Sequence, residues 1–192
     1  MNSITPTFMQ IDLQNIFYAA RSKGQRVDFE KIWNYFHSRE SEFLTDAIIY
    51  MIRSQDFDSS KFEAKMASIG YSLRIKEAIK IFRGTSHHTY KQTNHDVGIT
   101  VDCLDRLDTF DKWILMSGDG DFADLCEYLK KRGKKIEIWS FKECYNSSLS
   151  PYADRMHFIE DNNFFYKKPD VNVFGFTWGA INEDTRSNIP EA

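Results

Sequence analysis

Four acids stand where a carboxylate can do chemistry. Asp12 directly follows the apolar run Thr7-Phe8-Met9-Gln10-Ile11, and Asn15 lies three residues further on. Ser117-Gly118-Asp119-Gly120-Asp121 follows a second apolar run, Trp113-Ile114-Leu115-Met116, and Asp96 heads the segment that feeds this run. Each acid also fits an ordinary role. Asp96, Asp119 and Asp121 could be helix caps or first-turn acids, worth about 0.5–2 kcal/mol each. Asp12 fits such a role less well, because a carboxylate at the end of an apolar strand is costly to desolvate unless it is paired or metal-bound. Placed in one crevice, the four would repel one another, and a divalent cation is the natural compensation. Oxygen ligands suit Mg²⁺ or Mn²⁺ rather than zinc. A metal so held suits phosphoryl chemistry, where it polarises phosphate and helps to deprotonate an attacking water.

The elements around these residues alternate between short apolar runs and helical patterns. Thr7 to Asp12, Ala47 to Ile52, Trp113 to Met116 and Lys135 to Trp139 read as strands, with a further strand region from Tyr71 to Phe82 and a short last strand from Met156 to Ile159. Helical spacing predicts a helix over 28–39 (Phe29, Ile32, Trp33, Phe36), a second through Phe62, Met66 and Ile69, stopped by Gly70, and a third bearing the stripe Val97, Val101, Leu104 and Leu107. A fourth runs through Phe122, Leu125, Cys126 and Leu129 to Gly133. Residues 83–94 are polar and aperiodic and read as a loop. This alternation predicts βαβ units and a mainly parallel sheet covered on both faces. In such a sheet ligands bind beyond the carboxyl ends of the strands, where the acids stand.

The segments Ile11-Asp12-Leu13-Gln14-Asn15, Asp96-Val97-Gly98-Ile99-Thr100-Val101-Asp102, Ile114-Leu115-Met116-Ser117-Gly118-Asp119-Gly120-Asp121-Phe122 and Gly133-Lys134-Lys135-Ile136-Glu137-Ile138 resemble the NYN domain family, a branch of the PIN-like metal-dependent nucleases that includes LabA-like proteins. The resemblance spans roughly residues 7–160, and its most specific part is Ser-Gly-Asp-x-Asp-Phe after an apolar strand. It implies a three-layer α/β/α sandwich, PIN-like and Rossmann-like, with central strand order 3-2-1-4-5. It also implies acidic metal-site roles for Asp12, Asp96, Asp119 and Asp121, with Asn15 and Ser117 supporting metal or phosphate. Where the family often shows Lys-Gly-Val-Asp, this chain reads Thr93-Asn94-His95-Asp96, and the nearest lysine is Lys91. Asp102 matches the family pattern too, but six helical residues from Asp96 are about 600°, so the two do not share a face.

Outside the acids, the segment holding Arg83, His87, His88, Tyr90, Lys91 and His95 follows a strand and so faces the carboxylate side. Its cations and aromatic ring suit a nucleic-acid strand, with Arg83, Tyr90 and Lys91 as substrate contacts. The basic cluster Lys130 to Lys135 falls at the opposite sheet end, where it complements a helix dipole. Phe17, Tyr18 and Arg21 either pack in the core or meet substrate.

The 192 residues carry 25 Lys+Arg against 28 Asp+Glu, a formal net charge of −3, which excludes a uniformly basic nucleic-acid coat but not a local basic face or a metal bridge to phosphate. No run approaches the ~20 apolar residues of a membrane span, and the first residues lack a signal-peptide pattern. Three cysteines with no CxxC pair read as reduced thiols. These features predict a cytoplasmic protein with residues 1–161 as the NYN (PIN-like) domain and 162–192 as an aromatic-rich extension that packs on the domain or a partner, with a homodimer as one outcome. The expected activity is a Mg²⁺- or Mn²⁺-dependent ribonuclease; the alternative is a catalytically weak RNA-binding or regulatory module of the same fold. An aspartyl phosphatase would want an acid two residues after Asp12, where Gln14 stands, and no phosphate-binding glycine motif supports a nucleotide site.

Overall fold

The structure, a computed structural model, describes residues 4–54, 58–83, 87–90 and 94–166. In chain order the elements are β1 (Thr5–Asp12), α1 (Leu13–Ser22), α2 (Phe29–His37), β2 (Glu42–Arg53), α3 (Ser60–Ile69), β3 (Ser72–Glu77), β4 (Lys80–Arg83), β5 (His87–Tyr90), α4 (Asp96–Asp105), β6 (Lys112–Met116), α5 (Ala123–Lys131), β7 (Lys135–Ser140) and β8 (Arg155–Phe158). Six strands form a parallel sheet in the order β3-β2-β1-β6-β7-β8. This is the expected 3-2-1-4-5 order extended by the edge strand β8. From β1 the chain winds outward to β2 and β3, then returns to β6 on the other side of β1. The switch in winding direction leaves a crevice beyond the carboxyl ends of β1 and β6, the usual ligand position of such sheets.

The sheet is covered on both faces, so its central strands read as continuous apolar runs. On one face Ile16, Ala19 and Ala20 of α1, Phe29, Ile32 and Phe36 of α2 and Met66 of α3 pack on Met9, Ile11, Ile49, Ile114 and Trp139. On the other, Ile99 and Cys103 of α4 and Leu125, Cys126 and Leu129 of α5 pack on Phe8, Ile48, Tyr50, Trp113 and Ile138. Burying each large side chain contributes about 1.5–3 kcal/mol. At the amino end of the sheet, Glu137 of β7 is fully buried. Arg39 grips it with two bonds of 2.8 and 3.0 Å, and Lys112 of β6 also pairs with it. Burial alone would raise the Glu137 carboxyl; the hydrogen bonds from Arg39 and Lys112 outweigh it and hold the group down at about 2.

Four features differ from the sequence expectations. The segment after Asp12 forms α1, which buries Ile16, Ala19 and Ala20. The strand region 71–82 divides into β3 and β4, and β4 pairs with β5 as an antiparallel hairpin outside the main sheet, where a loop was expected. On α4 the stripe Val97, Val101 and Leu104 faces outward, 72%, 48% and 40% exposed. The buried face is Ile99, Asp102 and Cys103, because Asp102 is anchored there by polar partners. Among the described residues of the extension, Phe164 is buried on the α2 side and Tyr166 lies over Arg26; Phe174, Phe176 and Trp178 lie outside the described residues. No helix among the described residues is long and apolar enough to cross a membrane.

Candidate metal centre

Asp12 ends β1 and caps α1. Its Oδ1 accepts from the Asn15 N–H (3.3 Å), and its Oδ2 accepts from the Ser117 hydroxyl at the end of β6 (3.2 Å). Asn15 answers across the crevice, accepting the Gly118 N–H at 3.1 Å. Two of these bonds, Ser117 to Asp12 and Gly118 to Asn15, tie the β1–α1 corner to the Ser117–Asp121 turn, and within the turn the Asp119 N–H donates to Ser117 Oγ at 3.2 Å. Asp119 in turn caps a short 3-10 turn by accepting the Asp121 N–H at 3.0 Å. Asp119 thus fills the cap role that its position in the sequence allows.

The two glycines of this turn are packed tightly. A Cβ on Gly118 would stand 2.2 Å from the Cys144 carbonyl oxygen, and one on Gly120 would stand 2.6 Å from the Asn146 side chain. The 144–148 segment, which follows β7, closes one wall of the crevice and is pinned by the Asn146 N–H to Gly118 carbonyl bond (2.9 Å).

Asp96 reaches the same place from α4. The preceding His95 is buried, with Nε2 2.9 Å from the Met51 carbonyl of β2 and its ring edge-on to Tyr50. The sequence groups His95 with the basic segment on the carboxylate side; in the structure it anchors the start of α4 to the sheet. Asn94 donates its side-chain amide to Asp96 Oδ2. Asp96, Asp119 and Asp121 each offer a carboxylate oxygen, and the three oxygens lie within 4.8 Å of one another. Asp12 stands beside this trio. Burial, foremost, pushes its carboxyl up to about 6; the charges of Asp96 and Asp119 raise it further, while the bonds from Asn15 and Ser117 oppose the rise. Asp96 is also raised, by burial and by the charges of Asp119 and Asp121. Negative charge is thus concentrated at the switch point.

Asp102 is not part of the cluster. It is buried against Tyr50, whose hydroxyl donates to it at 2.8 Å, and paired with Arg74 at 3.0 Å. Tyr50 accepts from Gln10, which accepts from Trp113, so a polar chain runs beneath the site and fixes α4 to β1, β2, β3 and β6. Arg83 and Tyr90 fall in the strands of the hairpin, and Lys91 lies outside the described residues. Residues whose part in the site is unnoticed in the sequence include Asn94 before α4, Asn146 after β7 and Lys76 near the end of β3. Their polar character near strand ends is the one signal available.

The match to known proteins follows the same segments. Residues 7–160 match the model of the NYN domain. The chain belongs to the NYN domain family. It is 29% identical over 162 residues to the low amplitude and bright protein LabA of Synechococcus elongatus, covering 83% of this chain and 87% of that protein. A crystal structure of a protein of unknown function from Vibrio parahaemolyticus superposes with a TM-score of 0.69 at 24% identity, over 86% of this chain and 99% of that one, which is a likeness of fold. The NYN domain has the PIN-like nuclease fold, and in this chain its acidic cluster sits at the topological switch point.

Proposed function

We propose that this NYN domain is a divalent-metal-dependent ribonuclease that hydrolyses RNA phosphodiester bonds. The observation that carries the reading is the convergence of Asp96, Asp119 and Asp121, with oxygens within 4.8 Å, beside a buried Asp12. The donor set fits Mg²⁺ or Mn²⁺, since it contains oxygen alone. With their oxygens this close, Asp96, Asp119 and Asp121 are the residues that would share such an ion. Such an ion supplies Lewis-acid stabilisation of phosphate and acidification of a bound water. The protein's own residues divide the remaining work. Asp96, Asp119 and Asp121 hold the charge that balances the cation. Asp12, held by Ser117 and Asn15, sets the negative potential of the crevice and, with a carboxyl near 6, accepts a proton at neutral pH. Asp121, which is exposed, would orient the water that attacks the phosphorus in line; the P–O3′ bond breaks, leaving a 3′-hydroxyl and a 5′-phosphate. Burial keeps the Cys103 and Cys126 thiols protonated and inert, which suits a reducing, cytoplasmic setting.

The test is cleavage of structured and single-stranded RNAs by the full chain with Mn²⁺ or Mg²⁺, with EDTA as control. Asp121→Asn keeps the shape and removes the charge, and cleavage should fall on the order of a hundredfold while RNA binding is retained. Cleavage that survives both EDTA and Asp121→Asn, or no cleavage by the wild type of any RNA, overturns the assignment.

A further inference from the structure

The acidic crevice must receive a polyanion, so the position of the cation nearest to it matters. Strand register supplies one. Asp12 pairs with Tyr50, Tyr50 with Arg74, and Ile52 with Lys76, which puts Lys76 two residues past the level of Asp12 at the carboxyl end of β3. Arg74 and Lys76 are two apart on one strand and so share a face, the one that meets α4. Their fates differ. Arg74 is consumed by the buried Asp102 carboxylate. Lys76 donates from Nζ to the Asn94 carbonyl at 2.9 Å, immediately before α4, and Asn94 is itself bonded to Asp96. Among the described residues no carboxylate forms an ion pair with Lys76. Its charge is nevertheless felt at both Asp96 and His95.

We infer that Lys76 is a substrate-binding residue whose ammonium receives a backbone phosphate of the nucleic-acid strand beside the carboxylate cluster. The inference rests on the nuclease reading and deepens it. A neutral carbonyl fixes the position of the ammonium without cancelling its charge, which leaves the charge available to an incoming anion. When the carboxylates are balanced by a bound cation, Lys76 is left as a positive charge at the rim, linked to Asp96 through Asn94. An ion pair to phosphate at such an exposed edge contributes mainly to binding and to its salt dependence.

The experiment measures binding of a single-stranded oligouridylate to Asp121→Asn protein in Mn²⁺ across a salt series, with and without Lys76→Gln. Glutamine keeps a donor for the Asn94 carbonyl and removes the charge. Binding at low salt should weaken several-fold, and the log–log salt slope should flatten by about 0.7, the share of one phosphate contact on a single strand. In the cleavage-competent background KM should rise with kcat nearly unchanged, and Lys76→Arg should restore the affinity and KM. Lys131→Gln, which alters a lysine paired with Glu127 on α5 at the far end of the sheet, should change nothing. Unchanged affinity and slope in Lys76→Gln, in a protein that binds RNA, overturns the inference and leaves the nuclease reading standing. A lowered Tm and kcat that Lys76→Arg does not restore assigns Lys76 a structural role and also overturns it. Absence of RNA binding in every variant overturns the nuclease reading and the inference together.

Discussion

Replacing Asp12 by Asn should make the metal-free protein more stable at neutral pH. The folded carboxyl sits at about 6 against an ordinary 3.8, chiefly because burial penalises its charged form. A carboxyl raised on folding binds its proton more tightly in the folded state. Its contribution to stability is therefore full below pH 3.8 and is lost as the pH climbs through 6. At 1.36 kcal/mol per unit, the charged group costs about 3 kcal/mol above pH 6. Asparagine retains an oxygen for the Asn15 N–H and an amide that can donate to Ser117, so most of this cost is recovered. For a chain of this size about 2–4 °C accompanies each kcal/mol, which sets a ceiling of about 6–12 °C on the rise in Tm. The assay is thermal unfolding in EDTA at pH 7.5 and again at pH 4. The variant should melt several degrees higher at pH 7.5 and level with the wild type at pH 4. An equal or lower Tm at pH 7.5, or a gain that persists undiminished at pH 4, refutes the reasoning. Added Mn²⁺ should then favour the wild type, because a ligand stabilises the form that binds it more tightly.

Other outcomes follow from the packing and charges. Gly118→Ala forces a Cβ against the Cys144 carbonyl and the Ser140 hydroxyl, so it should cost about 1–3 kcal/mol in urea unfolding and also impair Mn²⁺ binding by moving the Asp119–Asp121 turn. Glu137→Gln leaves the buried Arg39 and Lys112 to share Glu42 as their carboxylate partner and should cost about 3 kcal/mol at pH 7. Because the Glu137 carboxyl is held near 2, its stabilisation is present above pH 4.5 and is lost as the pH falls toward 2, so this difference should shrink on acidification. Ending the chain after Asp161 removes buried Phe164 and its neighbour Phe165, which packs on Phe141, and should lower Tm.

The strand-end acids are legible in the sequence because each follows a mainly apolar strand, and a parallel sheet brings such ends to one edge. Asp96 is legible as a helix start, yet its arrival beside Asp119 and Asp121 depends on the buried His95 and on the Tyr50–Asp102–Arg74 network, which are tertiary contacts between distant segments. The same network explains why the apolar stripe of α4 misleads. Periodicity takes Val97, Val101 and Leu104 as the core face, but the paired Asp102 turns that face outward. Helix α1 escapes notice because its buried side is mostly alanine, with Ile16 as its one large aliphatic group. The β4–β5 hairpin escapes notice because His87-His88-Thr89-Tyr90 shows no apolar alternation. Lys76 cannot be linked to Asp96 from spacing alone, since the link is the register of β3 against the start of α4.

Titration of the metal-free protein with Mn²⁺, followed by calorimetry near pH 7.5, tests the central claim most directly. The wild type should bind the ion, and a repeat of the titration near pH 6 should show proton release that is nearly absent at pH 7.5, since the Asp12 carboxyl is held at about 6. Asp119→Asn should weaken binding at least tenfold while keeping the fold by circular dichroism. Equal Mn²⁺ affinity in the wild type and in folded Asp119→Asn would contradict the assignment of the carboxylate cluster as a metal centre.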